Sequence, residues 1–345
     1  MKNLIAICGD IHWSQYSSIV RRRGEKYSMF LEYLINSINW FNELATSLGC
    51  QSEIFLGDFF DKPILNAEEI TALNDINWPK EMPKYFICGN HEMASVNHKV
   101  SSAWYFNVIE NAHVISTPTI INIANKELAM LPYILETERQ PLDTYFTPKT
   151  TSRVLLSHND ISGISMGRFI SENGFTVEEL STQTDLCFNG HLHNGAKVAN
   201  NVINVGDLCG LNFGEDATVY SHLVYVLDLE TMTFSAYENP YALNFYKLDA
   251  TINPNALSKI TKENAVVTFK CYETDLTNYK KIIANNPNII ESRVIMAASV
   301  MDDSLSEDHR QEDLTIDHLQ AFKDYVLANF EHSKELEEEL KEVIS

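Results

Sequence analysis

The amino-acid sequence predicts an α/β layered fold, and three observations carry that prediction. Short apolar runs alternate with helix-like stretches over the first two thirds of the chain, which is the strand, helix, strand order of βαβ units. Five of these runs are followed at once by a short polar segment rich in Gly, Asp, Asn and His. Parallel strands joined by crossover helices place ligands beyond their carboxyl ends, which is where the polar segments fall.

The runs Leu4-Ile5-Ala6-Ile7-Cys8, Ile54-Phe55-Leu56, Tyr85-Phe86-Ile87-Cys88, Val154-Leu155-Leu156 and Leu186-Cys187-Phe188 read as buried strands, being apolar without alternation. Between the first two, Met29, Phe30, Leu34, Ile38, Phe41, Leu44 and Leu48 recur at three- and four-residue spacing, a helix that stops at Gly49. Further helices are expected from Ala67 to Asp75, His98 to Glu110 and Thr176 to Thr182, with a strand at Val114-Ile115. His222 to Leu229 and Thr233 to Tyr237 form a hairpin around Glu230-Thr231.

At Glu238-Asn239-Pro240-Tyr241 the pattern breaks, and residues 1–238 are read as the main domain. Residues 239–302 form a small α+β unit: strands Asn244 to Leu248, Ala265 to Cys271 and Ser292 to Met296, with a helix from Asp275 to Ala284. Residues 303–345 hold a polar linker and two helices, the first with Leu319, Phe322, Val326 and Phe330 in one stripe. The second continues with Leu336, Leu340 and Val343.

The 345 residues exceed the span of about 250–300 that one core usually serves, in line with a large domain and an appendage. No stretch reaches the roughly 18 apolar residues of a membrane span, and a strand starts close to Met1, so a soluble protein of the cytoplasm, in a bacterial or phage-infected cell, is expected. Six cysteines without Cys-x-x-Cys spacing make neither a disulfide framework nor a zinc site; Cys8, Cys88 and Cys187 are core filler. With 26 basic against 47 acidic residues the net charge is −21, the wrong sign for a dedicated DNA-binding domain. Binding to nucleic acid would need metal ions, a local basic patch or a partner.

The five polar segments are Gly9-Asp10-Ile11-His12, Gly57-Asp58-Phe59-Phe60-Asp61, Gly89-Asn90-His91-Glu92, Ser157-His158-Asn159-Asp160 and Gly190-His191-Leu192-His193. Taken singly, each is an ordinary turn or a core histidine. In this order, each at a strand end, they describe a two-metal phosphoesterase site. Oxygen and nitrogen donors of this kind suit manganese, iron or zinc, and the lack of cysteine excludes a structural zinc site. Asp10 and His12, two apart at an extended strand end, point to the same side, and His191 and His193 do the same. Asp58 is the natural bridge between ions about 3.5–4 Å apart, Asn90 offers an amide oxygen and His158 a ring nitrogen, which makes seven ligands. His98, His113, His222, His309, His318 and His332 lack that setting and read as ordinary structural residues.

These motifs resemble those of the calcineurin-like metallophosphoesterase superfamily. The resemblance implies a four-layer αββα sandwich of two mixed sheets between helices, with a dinuclear centre. It further implies that Asp10, His12 and His193 hold one divalent ion, that Asn90, His158 and His191 hold the other, and that Asp58 bridges. Manganese is the first expectation, with magnesium, iron and zinc also suited. His91 then becomes the proton donor to the leaving oxygen, oriented by Asp61.

Protein serine/threonine phosphatases of this superfamily carry an Arg after the last Asp of the second motif, where this chain has Lys62-Pro63, and lack the paired Gly-His-x-His. Glu92 leans the other way, since many nuclease relatives have Asp there. Beyond the core, Asn204-Val205-Gly206-Asp207-Leu208, Leu211-Asn212-Phe213-Gly214-Glu215 and the run Glu238 to Leu248 are similar to SbcD-type and phage recombination endonuclease subunits. That likeness implies the catalytic subunit of a DNA exo/endonuclease in recombination or repair, a DNA-binding cap at 239–302, and docking of Leu319, Phe322, Val326 and Phe330 on an SbcC-like ABC ATPase. Whether a homodimer forms is left open. Arg21-Arg22-Arg23 and Lys26 are the dense basic cluster nearest the motifs, a phosphate-contact candidate. The alternatives are a stand-alone metallophosphodiesterase or phosphatase for a nucleotide or small phosphoester, and a non-catalytic scaffold, against which the full set of seven ligands argues.

Overall fold

The computed structural model describes residues 3–17, 20–166 and 169–297. The expected ATPase-docking stripe at Leu319, Phe322, Val326 and Phe330 lies outside the described residues, as do His309, His318 and His332.

The first half runs β1 (Leu4–Cys8), α1 (Met29–Leu48), β2 (Ser52–Phe55), α2 (Ala67–Ala72), β3 (Lys84–Ile87) and β4 (Ala112–Ile115). The second runs β5 (Thr119–Ile123), β6 (Lys126–Leu131), β7 (Arg153–Ser157), the two-residue ladders β8 (Ile161–Ser162), β9 (Ser165–Met166), β10 (Phe169–Ile170) and β11 (Phe175–Thr176), then α3 (Val177–Gln183), β12 (Leu186–Asn189), β13 (Ala196–Ala199) and β14 (Val202–Asn204). A hairpin follows, β15 (Leu223–Asp228) and β16 (Thr233–Glu238), and then β17 (Asn244–Asp249), β18 (Ala265–Tyr272), α4 (Leu276–Ala284) and β19 (Ile289–Ala297).

Two six-stranded mixed sheets result, in the orders β16-β15-β1-β2-β3-β4 and β13-β14-β12-β7-β6-β5. Each has a parallel centre; the first sheet is antiparallel on one side only, at β15 and β16, and the second at both edges, β13 and β5. Strand alternation explains the layering. Ile5, Ile7, Ile54 and Leu56 face Val154, Leu156, Leu186 and Phe188 across the space between the sheets. Ala6, Cys8, Phe55 and Phe86 turn outward onto Leu34, Ile38 and Phe41 of α1, while Leu155, Cys187 and Val202 turn outward with Leu180 of α3. The order is therefore helix, sheet, sheet, helix, the expected αββα sandwich, and its cysteines are buried filler.

α1 starts where the Ser28 side chain accepts the Leu31 N–H and ends at Gly49, whose φ of 72° a glycine adopts without steric cost. The stretch expected as a helix from His98 to Glu110 is instead a 3₁₀ segment, Ser102–Val108. Its Trp104, Tyr105, Phe106 and Val108 are poor helix formers, and the Phe106 ring is drawn into the core against Phe86 and Phe59. α2 is also shorter than expected, six residues continued by a 3₁₀ turn.

β17, β18 and β19 form a separate parallel sheet with its own core around Tyr246, Val267, Phe269 and Ile283. Leu243, Phe245 and Val266 join the outer core of the first sheet, beside Leu208 and Cys209. The Ala217 N–H donates to Phe245 O at 2.8 Å, so the segment after β14 is pinned to this three-stranded unit.

Candidate metal centre

The loops after β1, β2 and β3 are zipped together by backbone hydrogen bonds. Ile11 and His12 N–H donate to Asp58 O at 3.1 and 2.9 Å, and Trp13 N–H to Phe59 O at 2.7 Å. Glu92 completes the tie: one carboxylate oxygen accepts Phe59 and Phe60 N–H at 2.8 and 3.2 Å, the other Gly89 N–H at 2.7 Å. Backbone conformation in these loops is unusual. His12, Asp58 and His191 have φ of 52°, 45° and 75°, left-handed values that cost a non-glycine residue on the order of 1–3 kcal/mol. A strand therefore does not continue through Asp10 and His12, and alternation is not what brings them together; the turn at His12 does. Gly57 and Gly89 are required by close approach, since a Cβ would strike the His158 ring at the first and the Asp58 carboxylate at the second.

In the second sheet the tie is an amide. Asn189 accepts the Ser157 hydroxyl and Asn159 N–H, the latter at 3.2 Å, and its own NH₂ donates to Asn159 O and Gly190 O at 2.8 and 2.6 Å. Bonds that join the sheets at the centre include His191 N–H to Asp10 Oδ1 at 3.1 Å and Leu208 N–H to Asp10 O at 2.7 Å.

The seven expected ligands converge. Donor atoms of Asp10, His12 and His193 lie within 4.8 Å of one another, as do those of Asp58, His158 and His191. Asn90 Oδ1 is 2.9 Å from His191 Nδ1 and 3.2 Å from His158 Nε2. Three imidazoles are oriented from outside: His158 Nδ1–H donates to Leu56 O at 2.6 Å, while His12 Nδ1 lies 3.1 Å from Asp61 Oδ1 and His191 Nε2 3.1 Å from Asp160 Oδ1. Each then turns its other nitrogen inward, the arrangement that outer carboxylates and carbonyls impose on metal-binding histidines.

The inward atoms include two buried ones without a hydrogen-bond partner, Asp10 Oδ2 and His12 Nε2. Buried polar atoms of this kind call for a ligand. The electrostatics agree. Burial opposes charge on Asp10 and Asp58, yet His158 outweighs it and holds both carboxyls below their usual range, and the same two carboxylates raise His158 well above an ordinary imidazole. A field that draws a proton onto a buried ring favours a divalent cation more. Burial lowers His193 to about 4, which keeps it neutral and able to ligate. These residues fit divalent metal ions.

His91 stands at the rim, 40% exposed in its side chain. Its N–H donates to Asp58 Oδ1 at 2.8 Å, and its Nδ1 lies 2.9 Å from Asp61 O and 3.6 Å from Asp61 Oδ1. Hydrogen bonding to Asp61 raises its pKa to about 9. The Asp61 carboxylate is nearer to His12 than to His91, so it serves a ligand as well as the expected proton donor.

Several residues escaped sequence reasoning. Glu92 is a tie between loops; Asp160 and Asn189 carried no signal beyond being polar beside a motif. Asp207 and Glu215 are buried behind His193, with donor atoms within 4.8 Å of it and of each other. His222 and Tyr220 close around Asp207, at 3.2 and 3.1 Å. The segments of Asp207 and Glu215 were singled out only by likeness to SbcD-type subunits, which gave no sign of their burial. In the basic cluster, Arg22 pairs with Glu291, Arg23 with Glu68 and Lys26 with Asp75, which removes most of its charge from phosphate contact. His98 is buried against Tyr133 O and His113 stacks on Tyr85, both structural as expected.

Among solved structures, the chain is similar to a hypothetical protein from Thermus thermophilus, with 9% identity and a TM-score of 0.39 over 69% of this chain and 100% of that one. A likeness that distant adds no argument. No curated protein matches the chain. No helix among the described residues is long and apolar enough to cross a membrane. Residues 4–223, which span both six-stranded sheets up to the first residue of β15 and every convergent donor, match the model of the calcineurin-like phosphoesterases, so the chain belongs to that family of metal-dependent phosphoester hydrolases.

Proposed function

We propose that this phosphoesterase hydrolyses DNA phosphodiesters as the catalytic subunit of a recombination or repair nuclease. The observation that carries the chemistry is the convergence of donors from both sheets beside His91, a rim residue whose Nδ1 is turned to Asp61. Asp10, His12 and His193 would hold one ion and Asn90, His158 and His191 the other, with Asp58 between them; manganese is the first choice. When bound, such ions lower the pKa of water and neutralise charge on phosphate oxygens. Water oxygen forms the new bond to phosphorus, its proton passes to solvent, and the ester bond breaks with its electron pair on the leaving oxygen. His91 donates the proton that this oxygen needs, and Asp61 orients the ring. Asp160, Glu92 and Asn189 hold ligands in place.

DNA as substrate draws support from the unit at 244–297, joined to the first sheet's core and to the segment that carries Glu215, in the manner of SbcD-type caps. Within this reading residues 1–238 are catalytic, 239–302 bind DNA, and 303–345 dock on an SbcC-like ATPase that supplies positive surface. A homodimer and a cytoplasmic location fit the same role. A second reading, a nucleotide or small-phosphoester hydrolase, is favoured by the net charge of −21 and by the paired state of Arg22, Arg23 and Lys26.

The test is a manganese-dependent assay on labelled single- and double-stranded DNA, with and without an SbcC-like ATPase and ATP. Digestion that strengthens with the partner supports the nuclease. Fast cleavage of a small bis-ester, with intact DNA and no association, replaces it with the second reading.

A further inference from the structure

Two cavities open on the candidate centre from different sides. One, of about 250 Å³, is walled by His12, Asp61, His91, Tyr16 and Leu211. The other, of about 320 Å³, is walled by His191, Ile164, Leu192, Asn194 and Ala196. His193 and Asn212 line both, so the two cavities adjoin at these residues.

We infer that these cavities divide a phosphodiester between them: the leaving group occupies the one with His91, and the nucleoside retained on the phosphate occupies the one with Ile164, Asn194 and Ala196. This rests on the diester reading above and adds where each half of the substrate lies. The assignment follows from proton delivery. The leaving oxygen must come within hydrogen-bond reach of His91, so its substituent lies on that side. A phosphomonoester has no second organic substituent, and would leave the larger cavity unused.

The chemistry of that cavity suits a nucleoside. Ile164, Leu192 and Ala196 present apolar surface to the face of a ring, and the amides of Asn194 and Asn212 present donors and acceptors to its edge. Its volume sits at the lower end of the roughly 300–1,000 Å³ of small-molecule sites, a size that suits one nucleoside. Tyr16, 38% exposed, lies on the wall of the smaller cavity, where it offers the leaving nucleoside a stacking face.

The test compares p-nitrophenyl phosphate with thymidine 5′-(p-nitrophenyl phosphate), which share a leaving group and differ only in the retained substituent. Wild type should prefer the thymidine ester, and Ala196→Trp, which fills the cavity from an exposed position, should raise KM for that ester about tenfold more than for the monoester. Ile164→Trp is the second filling variant, and manganese titration certifies that each variant is folded. Equal effects on both substrates in folded variants overturn the cavity assignment alone. A wild-type enzyme that cleaves the monoester but neither the thymidine ester nor DNA overturns the diester reading itself.

Discussion

The two six-stranded sheets are built alike and hold their site loops differently. Both have a parallel centre whose strands end in glycine-rich turns, yet the first sheet ties its turns with the carboxylate of Glu92 and the second with the amide of Asn189. A carboxylate only accepts, so Glu92 can gather N–H groups from two loops; an amide also donates, so Asn189 can satisfy carbonyls as well. The ligands divide along the same line. The first sheet supplies Asp10, His12, Asp58 and Asn90, three of them oxygen donors, and the second supplies only imidazoles, His158, His191 and His193. The lesson is that neither sheet makes a centre alone: the carboxylates of one hold the histidines of the other, through contacts such as His158 Nε2 to Asp58 Oδ2 at 3.1 Å.

Asp58→Ala breaks the comparison most severely. It removes a carboxylate common to two of the donor clusters and the acceptor of the His91 N–H, and both ions and all measurable hydrolysis should be lost, as metal analysis and a nuclease assay will record. His91→Ala should lower kcat by about 10²–10⁴ while manganese binding persists, because the ring stands at the rim with its Nδ1 turned to Asp61. Loss of metal in that variant would make His91 a ligand.

Subtler changes separate the sheets. Glu92→Gln points an NH₂ at backbone donors, and leaving buried N–H groups unmatched costs about 1–3 kcal/mol each, so denaturant unfolding should show a marked loss of stability. Asp160→Ala touches only the second sheet, where it frees His191; affinity for the ion on that side should fall about 10–100-fold with stability little changed. Calorimetric titration that shows both ions weakened equally would remove the distinction.

The smallest effect is expected far from the centre. Glu53 is buried at the start of β2 with neither carboxyl oxygen hydrogen-bonded, and burial raises its pKa to about 8 despite Lys84. Its folded pKa exceeds its unfolded one, so the folded state holds this proton more tightly. The resulting stability is full below the ordinary carboxyl pKa and is lost as pH rises through about 8. Glu53→Gln should therefore flatten the fall of Tm between the ordinary carboxyl pKa of 4.5 and about pH 8.

Much of this was legible in the chain. Apolar runs without alternation marked the central strands, and the polar residues behind them were the ones the fold brings together. What could not be read were partners set only in three dimensions. The turn at His12, the loop tie made by Glu92, and the carboxylate of Asp160 behind His191 depend on which backbone atoms lie opposite. The expected helix at His98 to Glu110 gave way because aromatic packing of Phe106 outweighed an apolar spacing that looked helical. Asp207 and Glu215 sat in the connection between β14 and β15, which is pinned to the three-stranded unit through the Ala217 N–H to Phe245 O bond, a contact between residues far apart in sequence.

The central claim is a pair of ions held jointly by both sheets with Asp58 between them. Manganese loading followed by electron paramagnetic resonance tests it most directly. Two ions per chain with the signature of spin coupling, abolished in Asp58→Ala, are predicted. A single ion, or two that do not interact, would contradict it.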